Sequence, residues 1–223
     1  MLEIKKGVTS IIGGGGKTTM MLVLAKELSP AKVILATSTR IYPMPGMRNL
    51  VGACEADVVY ALEKSGMVCV GEPAPDGKLG PARLSFETLE RISDYVLVEA
   101  DGSKGLPVKA HRPNEPVLPE SSNQTILVVG MSALGRRIKD AAHCPGIYAG
   151  LAGCVESDVI TCETIARVIR TEGLKSRVFL NQIHADGESA DACDLANAAR
   201  IAGMLDCPVC AGSLLKGVYR CLR

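Results

Sequence analysis

The chain has 223 residues, 47% of them hydrophobic and 22% charged, so it can bury a sizeable core and has the wrong composition for disorder. Its formal net charge of +1 offers no basic field for nucleic acid and no polybasic signal for a membrane surface. Apolar runs are broken by Gly, Thr or charge before they reach bilayer length, and residues 1–12 lack a basic-then-apolar leader, so the expectation is a cytoplasmic protein of one domain, 1–223.

Short Val/Ile/Leu-rich runs alternate with longer segments of helical period, the pattern of an α/β fold with a mostly parallel sheet and helices on both faces. Strands are expected at Val8–Ile12, Val33–Thr37, Tyr95–Glu99, Ile126–Val129, Arg177–Leu180 and Pro208–Ala211. Most of these are apolar on both faces, as strands covered from both sides must be. Helices are expected at Lys17–Leu28, Ala56–Lys64, Phe86–Ile92, Cys162–Arg170 and Ala190–Met204. Between them, 66–84 carries one short strand, Met67–Val70, and a series of Pro and Gly turn residues, which suggests a small β-hairpin excursion set between two sheet strands. The stretch 102–122 holds Pro107, Pro113, Pro116 and Pro119 and no sustained period, which suggests an ordered loop for substrate or partner.

The first strand runs into Gly13-Gly14-Gly15-Gly16-Lys17-Thr18-Thr19 and then directly into an apolar helix. A glycine-rich turn between a strand and a helix N-terminus is what a phosphate cradle needs: amides that point inward and the positive end of the helix dipole. Lys17 would neutralise the β and γ phosphates of ATP or GTP, and the Thr18 hydroxyl would ligate Mg²⁺. The longer consensus would place glycine at position 11 and the signature-lysine variant would place lysine at 12; the chain has Ile11 and Ile12.

The strand Tyr95–Glu99 continues into Ala100-Asp101, so Glu99 and Asp101 lie two residues apart at a strand's C-terminal end, where ligands of open α/β sheets bind. Both are candidates to address one Mg²⁺, with Asp101 orienting water or substrate. Beyond them Lys104, Lys109, His111 and Arg112 are candidates for an anionic substrate or the γ-phosphate, or else form a solvated basic loop. Thr37 and Thr39, at the end of the second strand, have hydroxyls for Mg²⁺ or the attacking water. Asn181 closes a later strand where a base contact is expected, although Gln182 and His184 stand where a guanine reader would carry lysine and aspartate, and Asp186 comes two residues late. Nine cysteines form no disulfide framework, and the lone Cys207-Pro208-Val209-Cys210 lacks a second pair at zinc spacing.

The loop 12–19, the segment Thr37–Ile41, the stretch Leu97-Val98-Glu99-Ala100-Asp101-Gly102-Ser103-Lys104-Gly105-Leu106-Pro107-Val108-Lys109 and the pair Asn181-Gln182 occur in the order of the YqeC family, which the chain resembles over most of its length. That resemblance implies a P-loop NTPase fold and a role in supplying or inserting labile selenium at the molybdenum cofactor of a selenium-dependent molybdenum hydroxylase. The expectation is therefore an NTP hydrolase that assists maturation of that enzyme. Two rivals stand beside it: a transferase or ligase whose small acceptor is held by Lys104, Lys109 and His111, and a nucleotide-gated metal or cofactor chaperone using Cys207 and Cys210. The oligomeric state is not legible from the residues.

Overall fold

A computed structural model describes residues 2–186 and 189–223. In chain order, β1 (Gly7–Gly13) leads through the glycine loop to α1 (Lys17–Glu27), followed by β2 (Val33–Thr37), β3 (Asn49–Val51), α2 (Glu55–Ser65), β4 (Met67–Pro73), β5 (Leu79–Gly80), α3 (Phe86–Ile92) and β6 (Tyr95–Glu99). Next come β7 (Val108–Lys109), β8 (Ser122–Gly130), α4 (Ile138–Ala141), β9 (Ala142–His143), α5 (Pro145–Ala152), α6 (Cys162–Glu172) and β10 (Arg177–Asn181). The chain closes with β11 (Ala185–Asp186), β12 (Ser189–Ala190), α7 (Ala192–Gly203), β13 (Val209–Ser213) and β14 (Val218–Cys221).

The main sheet runs β14-β13-β10-β8-β1-β6-β2-β4-β3, with β5 paired to β4. Pairing is parallel throughout, except at β13–β14 and β4–β5. This is the mostly parallel α/β architecture expected of the sequence. Strand alternation supplies both faces. Ile11, Leu35, Leu97 and Val128 turn towards Met20, Met21 and Leu24 of α1. Ile12, Leu127, Val129 and Leu180 turn the other way, towards α5, α6 and α7. Val8, Ile34 and Val96 join α2 and α3. Each such buried aliphatic side chain contributes about 1.5–3 kcal/mol.

One segment differs in placement from the sequence reading and a second adds a strand to it. β4 and β5 do form a hairpin, Glu72 opposite Gly80, yet β4 is not set apart from the sheet: it pairs in parallel with β2 and with β3. Val68, Cys69 and Val70 are buried on both faces, which places them as interior strand despite the prolines that follow. The stretch 102–122 is ordered, as expected, and contributes β7, which pairs with β9 outside the main sheet. No helix among the described residues is long and apolar enough to cross a membrane.

Candidate phosphate-loop site

β1 lies between β6 and β8, so its C-terminal end opens beside the ends of both neighbours. The loop that leaves it is clamped by backbone on two sides. Gly14 N donates to Val128 O at 2.9 Å, Gly15 N to Leu106 O at 3.1 Å, and Gly130 N to Pro107 O at 2.8 Å. Gly13, at φ 95°, and Gly15, at φ 80°, are left-handed positions where a Cβ would also run into Val128 O and into the backbone of Gly130. These glycines are thus demanded by the packing of the protein on its own loop as well as by room for phosphate. α1 carries no side-chain cap at Gly16, whereas α3, α6 and α7 are capped by Ser85, Thr161 and Asp191. Its first helical bond runs from Met20 N to Gly16 O at 2.9 Å, so the amides ahead of Met20, including those of Lys17, Thr18 and Thr19, have no intrahelical acceptor.

Lys17 is only 4% exposed and folds back over the loop. Its Nζ donates to Gly13 O at 2.8 Å and to Ser103 Oγ at 3.3 Å, and sits 3.2 Å from Asp101 Oδ1 and 3.9 Å from Glu99 Oε1. Thr18 remains exposed, and its hydroxyl donates to Glu99 Oε2 at 3.1 Å. Burial pushes the Glu99 carboxyl above its ordinary range; Lys17 and Thr18 pull it down and Asp101 pushes it up. A hydroxyl and a carboxylate converging beside the glycine loop are a hard-oxygen set suited to Mg²⁺. A divalent cation there would hold Glu99 ionised.

Asp101 departs from the sequence reading. It is fully buried, with Oδ2 accepting from Gly13 N at 2.8 Å, meeting His111 Nε2 at 2.7 Å and lying 3.4 Å from Lys109 Nζ. A carboxylate so enclosed and so surrounded does not face water or metal. It faces three cations, and it holds the first glycine of the loop. Burial raises the Asp101 pKa, but the His111 bond, Lys17, Lys109 and the Gly13 amide overcome it and bring it down to about 2. Its Oδ1 has no hydrogen bond among the described residues and meets Lys17 Nζ as an ion pair at 3.2 Å.

Lys109 and His111 also turn inward, not outward to a substrate. Lys109 donates to Gly102 O at 2.7 Å and pairs with Glu115 at 2.9 Å. His111 bridges Asp101 and Glu172, with Nδ1 3.0 Å from Glu172 Oε2, while its own amide donates to Glu172 Oε1 at 2.6 Å. Burial lowers the His111 pKa; the two carboxylates outweigh it and push it up to about 9, so the ring is an imidazolium at neutral pH. Of the four candidate loop residues, Lys104 and Arg112 are exposed. Thr37 is buried, its hydroxyl donating to Glu99 O at 2.8 Å and accepting from Thr39 N at 3.0 Å, so both threonines shape the end of β2 beside Glu99.

Asn181 approaches the loop and is held by protein at both ends of its amide. Its Nδ2 donates to Gly15 O at 2.7 Å and its Oδ1 accepts from Leu214 N at 3.1 Å, which fixes the amide's orientation and ties it to the loop. His184 pairs with Asp194 at 2.8 Å, and the side chain of Asp186 lies outside the described residues. Cys210 faces not Cys207 but Cys221, its register partner on β14, with the sulfurs 3.0 Å apart. No group of three or more metal-ligating side chains occurs among the described residues. Sequence reasoning missed Ser103, Glu115, Glu172 and His143. Ser103 was within the quoted stretch; Glu172, 61 residues from His111, gave no local signal.

The strand, glycine loop and helix have the arrangement of nucleotide-binding P-loop proteins, and comparison with known proteins adds the lineage. The family model described as YqeC protein matches residues 9–146, more than half of the chain. The chain belongs to the YqeC family. The matched span holds the phosphate loop, Glu99, Asp101, His111 and His143, while Glu172 and Asn181 lie beyond it. An uncharacterized YqeC protein of Escherichia coli (strain K12) is 28% identical over 173 residues, 73% of this chain and 67% of that protein. Among solved structures, chloroplast FtsY from Physcomitrella patens is similar with a TM-score of 0.48 and 16% identity; 95% of this YqeC family member is covered, and it spans 60% of the FtsY chain.

Proposed function

We propose that this YqeC family protein binds a Mg²⁺–nucleoside triphosphate, ATP or GTP, and hydrolyses it in the cytoplasm to assist maturation of a selenium-dependent molybdenum hydroxylase. The observation that carries the triphosphate reading is the meeting of Thr18 and Glu99 at 3.1 Å beside the uncapped N-terminus of α1. Lys17 leaves Gly13 O and Asp101 to meet the β and γ phosphates, and the free amides of the first helical turn take the remaining phosphate oxygens. Thr18 and Glu99 hold Mg²⁺, which when bound neutralises charge on the β and γ oxygens. Asp101 acts as a positioning residue: it fixes Gly13 and, with His111 and Lys109 as counter-ions, stays ionised when Lys17 departs. The client enzyme and selenium enter through the family resemblance alone.

Thermal-shift measurements with ATP, GTP and non-hydrolysable analogues, with and without Mg²⁺, test the core of this reading. A triphosphate at 100 times its Kd adds about 2.7 kcal/mol of apparent stability. No Mg²⁺-dependent shift with either nucleotide would discard it.

A further inference from the structure

His143 closes β9 in register with Lys109 of β7. Register partners on parallel strands share a face. Lys109 reaches Gly102 O from that face, so the His143 ring lies beside the turn Gly102–Gly105. The residue is 8% exposed, and its ring has no hydrogen-bond partner among the described residues. Its ring nitrogens are not among the buried polar atoms left without a partner, so they face solvent and are open to a ligand. Burial lowers its pKa, and Lys109, Arg112 and Lys104 add to that while Glu115 opposes it, so at neutral pH the ring offers one N–H and one lone pair. Lys109 is already occupied by Gly102, Asp101 and Glu115. Lys104 is exposed and pairs with no carboxylate among the described residues, and Arg112 keeps only a 3.7 Å approach to Glu115. Above the turn there is room, since a Cβ on Gly102 or Gly105 would meet nothing within 4 Å.

We propose that His143, Lys104 and Arg112 form a subsite for a small oxyanion, the phosphate or carboxylate group of a second substrate. The two exposed cations close on the anion's oxygens, and the ring donates its N–H or accepts the proton of a monoprotonated phosphate. Ser103, in the same turn, touches Lys17, so the subsite adjoins the end of the loop where the terminal phosphate lies. Only this adjacency rests on the triphosphate reading; the oxyanion subsite stands apart from it.

Nuclear magnetic resonance of the full-length protein tests both in one spectrum. Histidine ring signals, assigned with His143→Asn, are followed during titration with inorganic phosphate and, separately, acetate at constant ionic strength. The expected result is a saturable shift of the His143 ring and at least a fivefold higher apparent Kd in the Lys104→Ala/Arg112→Ala protein. Should that double variant not fold, Arg112→Ala alone, an exposed change, is expected to weaken binding at least twofold. Saturation by phosphate only assigns a phosphoryl ligand, and saturation by acetate also, or by acetate alone, assigns a carboxylate. A linear drift, no movement, or equal affinity in the variants overturns the subsite. Phosphate captured by the glycine loop moves the Gly14–Gly16 amides instead, so failure of either site is seen without the other.

Discussion

Three side chains at the loop divide the work differently from their order in the sequence. Lys17→Ala is expected to weaken Mg²⁺–triphosphate binding at least tenfold in titration calorimetry while the fold is retained, because among the described residues its ammonium meets only the loop, Ser103 and two carboxylates. Unchanged affinity would remove the proposed site. Glu99 and Asp101 should behave as opposites. Burial disfavours the Glu99 carboxylate, so Glu99→Gln leaves stability unchanged or slightly higher but abolishes the Mg²⁺ dependence of turnover. Asp101→Asn breaks a buried network of three cations and costs about 3–5 kcal/mol in chemical denaturation. Equal stability losses in the two variants would return both to a common metal site.

His111 gives that network a pH signature. Its folded pKa, about 9, lies above the ordinary 6.5, so its stabilisation is fully present below pH 6.5 and is lost as pH rises through about 9. His111→Gln is therefore expected to be less stable than the parent by about 3 kcal/mol at pH 6, with the gap narrowing between pH 6.5 and about 9. A gap that is constant across this range would mean that the ring is not charged in the folded protein.

At the scale of elements, Asn181 joins the end of β10 to Gly15 on one side and to Leu214, just beyond β13, on the other. Asn181→Ala is expected to lower stability by about 2 kcal/mol and to weaken ATP and GTP equally, since the amide braces the loop and does not read a base. A selective loss of GTP would restore the base contact anticipated from the sequence. Legibility followed the same divisions. β1, β2, β6 and β10 are mostly apolar runs that must be buried on both faces, so these were readable. β3 spans three residues and β14 is an edge strand of half-polar residues, and neither carries a period long enough to register. That Lys17, Thr18 and Glu99 would meet at one strand end was readable because the spacing is local. The inward turn of Lys109 and His111 was not, because Glu172 reaches His111 from 61 residues away.

For the whole molecule, the client hypothesis has its own test. Removing this protein is expected to abolish the activity of a selenium-dependent molybdenum hydroxylase while the hydroxylase polypeptide stays near its normal abundance, and re-expression of Lys17→Ala should not restore it. Full hydroxylase activity in the deletion strain would discard the selenium assignment and leave the triphosphate site standing.

The place of β1 inside the sheet also constrains how the chain can be made. Ile11 pairs with Glu99 on one side and with Ile126 on the other, so the strand that bears the phosphate loop waits for residues made long after it. Loop closures of this span slow folding. While a ribosome has yet to deliver β8, β1 is an open, apolar edge able to pair with another nascent chain. The same strand that presents the glycine loop in the finished protein is thus open to mispairing during synthesis until β6 and β8 have been made.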